Sequence, residues 1–166
     1  ISVDNCMSTS DCVFALANGM TGSRVASRES RVNFAKALEQ VCLYLAREIA
    51  RDGEGATQLI EVRVTGAQSE KEARLAARAI TSSDLLKCAV YGRDRRLGRV
   101  FAAVGSTEVK INQAKMRAAI KFSARDGQGQ KEAVVTCDLG AGKFSAVGWG
   151  CDLTEGYVRI NARYHT

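Results

Sequence analysis

Proline is absent from the chain, and histidine and tryptophan occur once each, as His165 and Trp149. The missing proline is unusual and identifies no class by itself. The histidine count is more telling. The six cysteines are Cys6, Cys12, Cys42, Cys88, Cys137 and Cys151, and no two of them form a CxxC pair. A zinc centre needs several Cys or His ligands at short spacing, so no metal site is expected. Phosphate-cradling signatures are also missing: there is no GxGxxG and no GxxxxGK[ST]. SAVGWG carries glycines without the strand, nucleophile and helix context of a GxSxG elbow. No apolar run approaches the roughly 18 residues that span a bilayer, so no membrane partner is expected. The opening ISVDNCMSTSDC has neither the basic nor the apolar region of a signal peptide. It also lacks an initiator methionine, so the chain is expected to begin inside something longer.

What is present fits a soluble globular domain. The 166 residues suit one domain, or one and a part, and 46% hydrophobic with 25% charged residues is ordinary for that class. The formal net charge is +6. GRDRRLGR (92–99) concentrates part of it, but no nucleic-acid-binding motif surrounds that run. A solvated basic surface is the first reading, with an acidic partner chain or a small carboxylate ligand as alternatives. A nucleic-acid-binding module would rest on charge alone. Cys42, Cys88 and Cys137 lie in apolar patterns and are expected to be buried, reduced thiols. STSD (8–11) reads as a turn or cap.

The chain alternates between two periodicities. Val13 to Asn18 reads as a buried strand closed by Gly19. From Arg31 to Ala50, Phe34, Leu38, Val41, Leu45 and Ile49 recur at helical spacing. That helix ends at RDGEG, where glycine is expected at a C-terminus. LIEVRVTG predicts a half-buried strand with Ile60, Val62 and Val64 on one face. SEKEARLAARAI predicts a helix opened by a Ser69–Glu72 capping box. LLKCAVYG reads as a strand and LGRVFAAVG as a short helix closed by Gly105. VKI is a short strand candidate, and NQAKMRAAI a short helix capped by Asn112. KEAVVTCDLG, KFSAVGWGCDL and YVRINARY are three further strand candidates separated by glycine-containing turns. The expected class is α+β, with helices packed on a mixed or antiparallel sheet.

RDGEGATQ (51–58) sets Glu54 between two glycines. On the residues alone, Glu54 is a solvated turn acid, Asn161 a strand or turn residue and Thr166 a chain end. Several stretches together say more. VDNCMSTSDC, ALANG, QVCLYLAREIARDGEGAT, EVRVTGA and AVGWGCDLTEGYVRINARYHT, in that order, resemble the ornithine acetyltransferase family, the glutamate N-acetyltransferases of arginine biosynthesis. The likeness is strongest at RDGEGAT and at WGCDLTEGYVRINARYHT.

The resemblance implies an ornithine-acetyltransferase-like αββα architecture. Residues 1–22 would end the nucleophile-domain region as a strand and loop, and residues 23–166 would form the C-terminal α+β domain of the β chain. It also implies a precursor that cleaves itself before a threonine. That threonine would take acetyl from N2-acetylornithine and pass it to glutamate through an acetyl-enzyme, using its own α-amino group as base. The nucleophile and the oxyanion hole would lie outside this chain, so no catalytic residue is expected here. Three substrate-binding positions carry over: Glu54 from DGEGAT, Asn161 from INA, and the terminal Thr166. A carboxylate at Glu54 suits an ammonium, while Asn161 and Thr166 suit carboxylate or amide oxygens. Asp4, Thr9 and Asp11 match polar family positions and are read as structural. No cofactor is implied, although bifunctional members also use acetyl-CoA as donor. The implied partners are the α chain and the remainder of the β chain, in a heterotetramer of two α and two β chains. Neither nucleic acid nor membrane is implied. The implied compartment is cytoplasmic, or mitochondrial in a eukaryote.

The chain departs from the family pattern at Asp94–Arg99, where DPNWGR is common, and in a shorter STEVKINQAKMRAAIKFSARDGQGQ. It also has Gln58 where lysine is more frequent. A divergent non-catalytic member or an interaction domain is therefore the alternative reading.

Overall fold

The computed structural model of the chain describes residues 1–123 and 131–163. Its frame is a sheet of four strands: β1 (Gln58–Ala67), β2 (Arg117–Phe122), β3 (Lys131–Asp138) and β4 (Phe144–Cys151). The order is β2-β3-β1-β4, with β1 parallel to β3 and both edge strands antiparallel to their neighbours. Among the described residues five helices accompany it: α1 (Arg28–Arg51), α2 (Glu70–Thr81), α3 (Asp84–Tyr91), α4 (Gly98–Gly105) and α5 (Glu155–Arg163). The α+β class with a mixed sheet is as expected.

The two faces of the sheet differ because strand side chains alternate. Ile60, Val62 and Val64 of β1 join Ala133, Val135 and Cys137 of β3 in the buried core. Ala73, Ala76, Ala77 and Ile80 of α2 close over them, with Leu86, Val90, Val100 and Val104 from α3 and α4. Gly148 and Gly150 of β4 let α2 come close, since a Cβ at either would lie 2.8 Å from the Thr81 side chain. On the opposite face α1 lies over β4 and β1. There the layer is polar. Arg47 pairs with Glu132 at 2.7 Å, and Glu61 accepts from Trp149 Nε1 at 3.1 Å and from Arg63 Nε at 2.6 Å. The apolar row Phe34, Leu38, Val41, Leu45 and Ile49 keeps its helical spacing but is exposed.

Several expectations change. Residues 13–18 form no strand; Val13, Phe14 and Leu16 are exposed, and no described strand offers their backbone a ladder. LLKCAVYG is helix α3, opened by Ser83, whose side chain accepts from Leu86 N. A short apolar run does not reveal its period, and the cap decides it. VKI is not a strand. Asn112 does cap, accepting from Lys115 N at 3.3 Å, but it caps a single turn, after which RAAIKF becomes β2. Of YVRINARY, residues 157–163 belong to helix α5, not a strand, and Tyr164 lies outside the described residues. Ser69 caps α2 as expected, while Glu72 reaches back to Gln68 N, one residue beyond the Ser69 N–H of a reciprocal box. Cys42 and Cys88 are exposed; Cys137 and Cys151 are the buried thiols. Burial raises the Cys137 thiol to about 11. In the basic run, Arg93 and Arg95 sit over the Phe122 ring, Arg96 pairs with Asp94, and Arg99 donates to the Leu85 carbonyl. Those arginines hold the α3–α4 connection.

Candidate functional site

The segment after α1 is a β-turn. Ala56 N donates to Gly53 O at 2.9 Å, placing Glu54 and Gly55 at its centre. Gly55 has φ +66°, the left-handed value that the third position of a type II turn requires. Glu54 is not left-handed, and the glycine that the conformation needs is the one after it. Gly53 does not cap α1 in the left-handed way expected; Asp52 is the cap residue, and Gly53 instead makes room for the Cys151 Sγ.

This turn is fixed from below by the end of β4. Buried Asp152 accepts from Thr57 N at 2.8 Å, Thr57 Oγ1 at 2.5 Å and Gln58 N at 3.0 Å. Thr154 Oγ1 donates to Gly55 O at 2.7 Å and accepts from Tyr157 N at 3.1 Å, so one hydroxyl both hooks the turn and caps α5. The DGEGAT and CDLTEGY stretches are thus two halves of one joint. Gln58 is buried, and its amide nitrogen donates to Val90 O at 2.8 Å.

The joint brings Glu54 to Asn161, 107 positions apart in sequence: Asn161 Nδ2 donates to Glu54 Oε2 at 2.8 Å. Its second N–H goes to Tyr157 O at 3.1 Å. Both partners are acceptors, so the amide orientation follows from the network. Asn161 therefore offers an acceptor, Oδ1, and not the donor expected of it. Among the described residues no donor reaches that oxygen or Glu54 Oε1. Both side chains are exposed. Thr166 lies outside the described residues.

Beyond the expected residues, Asp4 and Tyr157 join this site. Tyr157 OH donates to Asp4 Oδ2 at 2.8 Å, and Cys6 N donates to Asp4 Oδ1 at 2.9 Å. The Cys6 N–H is the largest cause holding the Asp4 carboxyl below its ordinary range, and the Tyr157 hydroxyl adds to it. The Asp4 carboxylate in turn pushes the phenol up to about 12, helped by burial and the charges of Asp4 and Glu54. The sign is definite. A raised phenol contributes stability below its unfolded value near pH 10, lost as pH rises through about 12. A lowered carboxyl contributes above about pH 4, lost as pH falls through its folded value. The bond should persist between those limits. We expect a tyrosinate absorbance step near pH 12 that Tyr157→Phe removes. A step near pH 10 for this residue would contradict the bond to Asp4.

Lys87 anchors the segment that carries Asp4. Fully buried, its Nζ donates to Ser2 O at 2.9 Å, Val3 O at 2.6 Å and Cys151 O at 3.1 Å. Burial lowers its pKa, opposed by the charges of Cys151, Asp84, Asp4 and Asp152. Among the described residues no cluster suits a metal, and no helix is long and apolar enough to cross a membrane.

A sheet backed by helices, with a glycine turn clasped by the last helix to present acceptors, defines an α+β module built around one polar joint. The chain belongs to the ArgJ family, whose model matches residues 1–166. It is 44% identical to the glutamate N-acetyltransferase of Methanopyrus kandleri, with 100% of this chain and 48% of that protein aligned. It is likewise 44% identical to the arginine biosynthesis bifunctional protein ArgJ of Symbiobacterium thermophilum, covering 46% of it. The chain spans about half the length of the curated relatives it matches. The crystal structure of the arginine biosynthesis bifunctional protein ArgJ from Bacillus halodurans superposes with a TM-score of 0.86 at 38% identity. That match covers 98% of this chain and 85% of the other.

Proposed function

We propose that this chain is the substrate-binding C-terminal part of an acetyltransferase of arginine biosynthesis. The complete protein would move acetyl from N2-acetylornithine to glutamate through an acetyl-threonine, formed on a residue outside this chain after self-cleavage. The names of the relatives support the activity. The observation that carries the site is the Asn161–Glu54 bond at 2.8 Å. With both Asn161 N–H groups engaged, the pair offers one carboxylate oxygen and one amide oxygen, acceptors matched to an ammonium. N-acetylornithine carries one at the end of its side chain. Glu54 and Asn161 are assigned that group, with Thr166 a third substrate contact. The partners are the α chain and the rest of the β chain, in a heterotetramer. No cofactor is assigned, and acetyl-CoA is the second donor if the enzyme is bifunctional. The compartment is the cytoplasm, or the mitochondrion in a eukaryote.

The test is Glu54→Gln in the full-length protein. A charge-assisted bond contributes about 1.5–3 kcal/mol. KM for N-acetylornithine should therefore rise on the order of tenfold to a hundredfold. KM for glutamate should change less, because its side chain brings no ammonium. An unchanged KM for N-acetylornithine removes Glu54 from the site. Absence of ping-pong acetyl transfer in the full-length wild type removes the enzymatic reading and favours the non-catalytic alternative.

A further inference from the structure

Helix α5 carries Asn161, yet none of its described residues is buried. Most surface helices are held by an apolar stripe against a core. This one is placed by polar ties: the Thr154 hook on Gly55, the Tyr157 hydroxyl on Asp4, and Asn161 on Glu54. Tyr157 and Asn161 are four residues apart, so they share one face. Tyr157 acts at both ends of that spacing. Its carbonyl takes the second N–H of Asn161, and its hydroxyl reaches Asp4. Asp4 is itself fixed, because Cys6 N engages its other oxygen and Lys87 grips the preceding Ser2 and Val3 carbonyls.

We propose that Tyr157 is a positioning residue: through its bond to Asp4 on the Lys87-held segment, it sets the orientation of α5 and thereby the Glu54–Asn161 pair. It rests on the substrate-binding reading of that pair. The hydroxyl lies outside the hydrophobic core, so its loss disturbs the site without unfolding the domain.

The experiment uses the full-length protein and three readouts: steady-state kinetics, thermal unfolding, and amide hydrogen exchange over 155–163. Tyr157→Phe should raise KM for N-acetylornithine about tenfold with kcat within about twofold. The unfolding midpoint should hold within a few degrees, and α5 amides should exchange faster. Asp4→Ala cuts the same bond from the other side and should reproduce these changes even if one variant folds poorly. Introduced into Asn161→Ala, Tyr157→Phe should add less than about twofold, since its effect passes through Asn161. If Glu54→Gln and Asn161→Ala raise KM while Tyr157→Phe does not, the positioning role is overturned alone. Losses that multiply in the double variant overturn it as well. If α5 loosens in Tyr157→Phe but none of the three variants moves KM, the substrate reading falls and this proposal falls with it.

Discussion

Gly55→Ala is expected to cost the full-length protein on the order of a hundredfold or more in kcat/KM for N-acetylornithine. Two effects combine. Gly55 sits at φ +66°, where an alanine is disfavoured by about 1 kcal/mol. The added Cβ would also run into backbone: it would collide with Tyr157 N and lie 2.6 Å from the Gly156 carbonyl carbon. Backbone atoms at a helix start do not rotate aside as the tip of a side chain does. The collision is relieved only by separating the turn from α5. That breaks the Thr154 bond to Gly55 O at 2.7 Å and parts Glu54 from Asn161. A displacement of about 1 Å at a binding constellation can cost a hundredfold. Gly92→Ala is the control. Gly92 ends α3, has no left-handed φ, and its added Cβ would come no nearer than 3.7 Å to anything. It should leave kinetics unchanged. Steady-state kinetics beside urea unfolding checks both variants. A Gly55→Ala enzyme with ordinary KM would show that the close approach of turn and helix does not matter for binding.

How much of this was legible beforehand depends on how local the deciding force is. Helix α1, strand β1 and helices α2 and α4 follow from periodicity, because one face of each repeats its apolar residues at the right interval. Helix α5 deceives. Val158, Ile160 and Ala162 alternate with Arg159, Asn161 and Arg163, which is a strand rhythm, yet the helix stands with no buried face. The available signal was Thr154 followed by Glu155: a capping hydroxyl, then an acid in the first turn. Strand-like residues 13–18 fail for the opposite reason, having the apolar content and no described ladder partner. The site was legible only through resemblance. Nothing in local pattern connects Glu54 to Asn161. The groups that connect them, Asp152 and Thr154, look like ordinary polar residues after a strand. Their importance comes from a buried carboxylate that accepts three bonds and a hydroxyl that serves two elements, which are properties of the assembled fold. The partners of the Asn161 N–H groups were hidden for a related reason, since Glu54 and the Tyr157 carbonyl reach them only in the assembled fold.

Lys87→Met should produce the largest loss of stability, about 3 kcal/mol. Within LLKCAVYG the lysine breaks the apolar run, and in α3 it is the largest fully buried side chain among the described residues. An ammonium has three donors, and Lys87 has three carbonyl acceptors, from Ser2, Val3 and Cys151. Methionine keeps the length and removes every donor. A stranded buried carbonyl costs about 1–3 kcal/mol, and relief from burying a charge offsets part of the sum. Arginine should not rescue, because a planar fork does not fit a fully buried socket shaped for a compact ammonium. The effect should not stop at stability. Ser2 and Val3 precede Asp4, so releasing them loosens the acceptor that holds Tyr157, and α5 loses its anchor. Lys87→Met should therefore also raise KM for N-acetylornithine by about as much as Tyr157→Phe, although Lys87 touches neither Glu54 nor Asn161. Urea unfolding measures the first effect and steady-state kinetics of the folded fraction the second. Stability changed by less than about 0.5 kcal/mol, the range of an ordinary surface substitution, would mean that the three carbonyls find other partners. Lost stability with unchanged KM would mean that Asp4 keeps its place without the lysine, and would confine Lys87 to the fold.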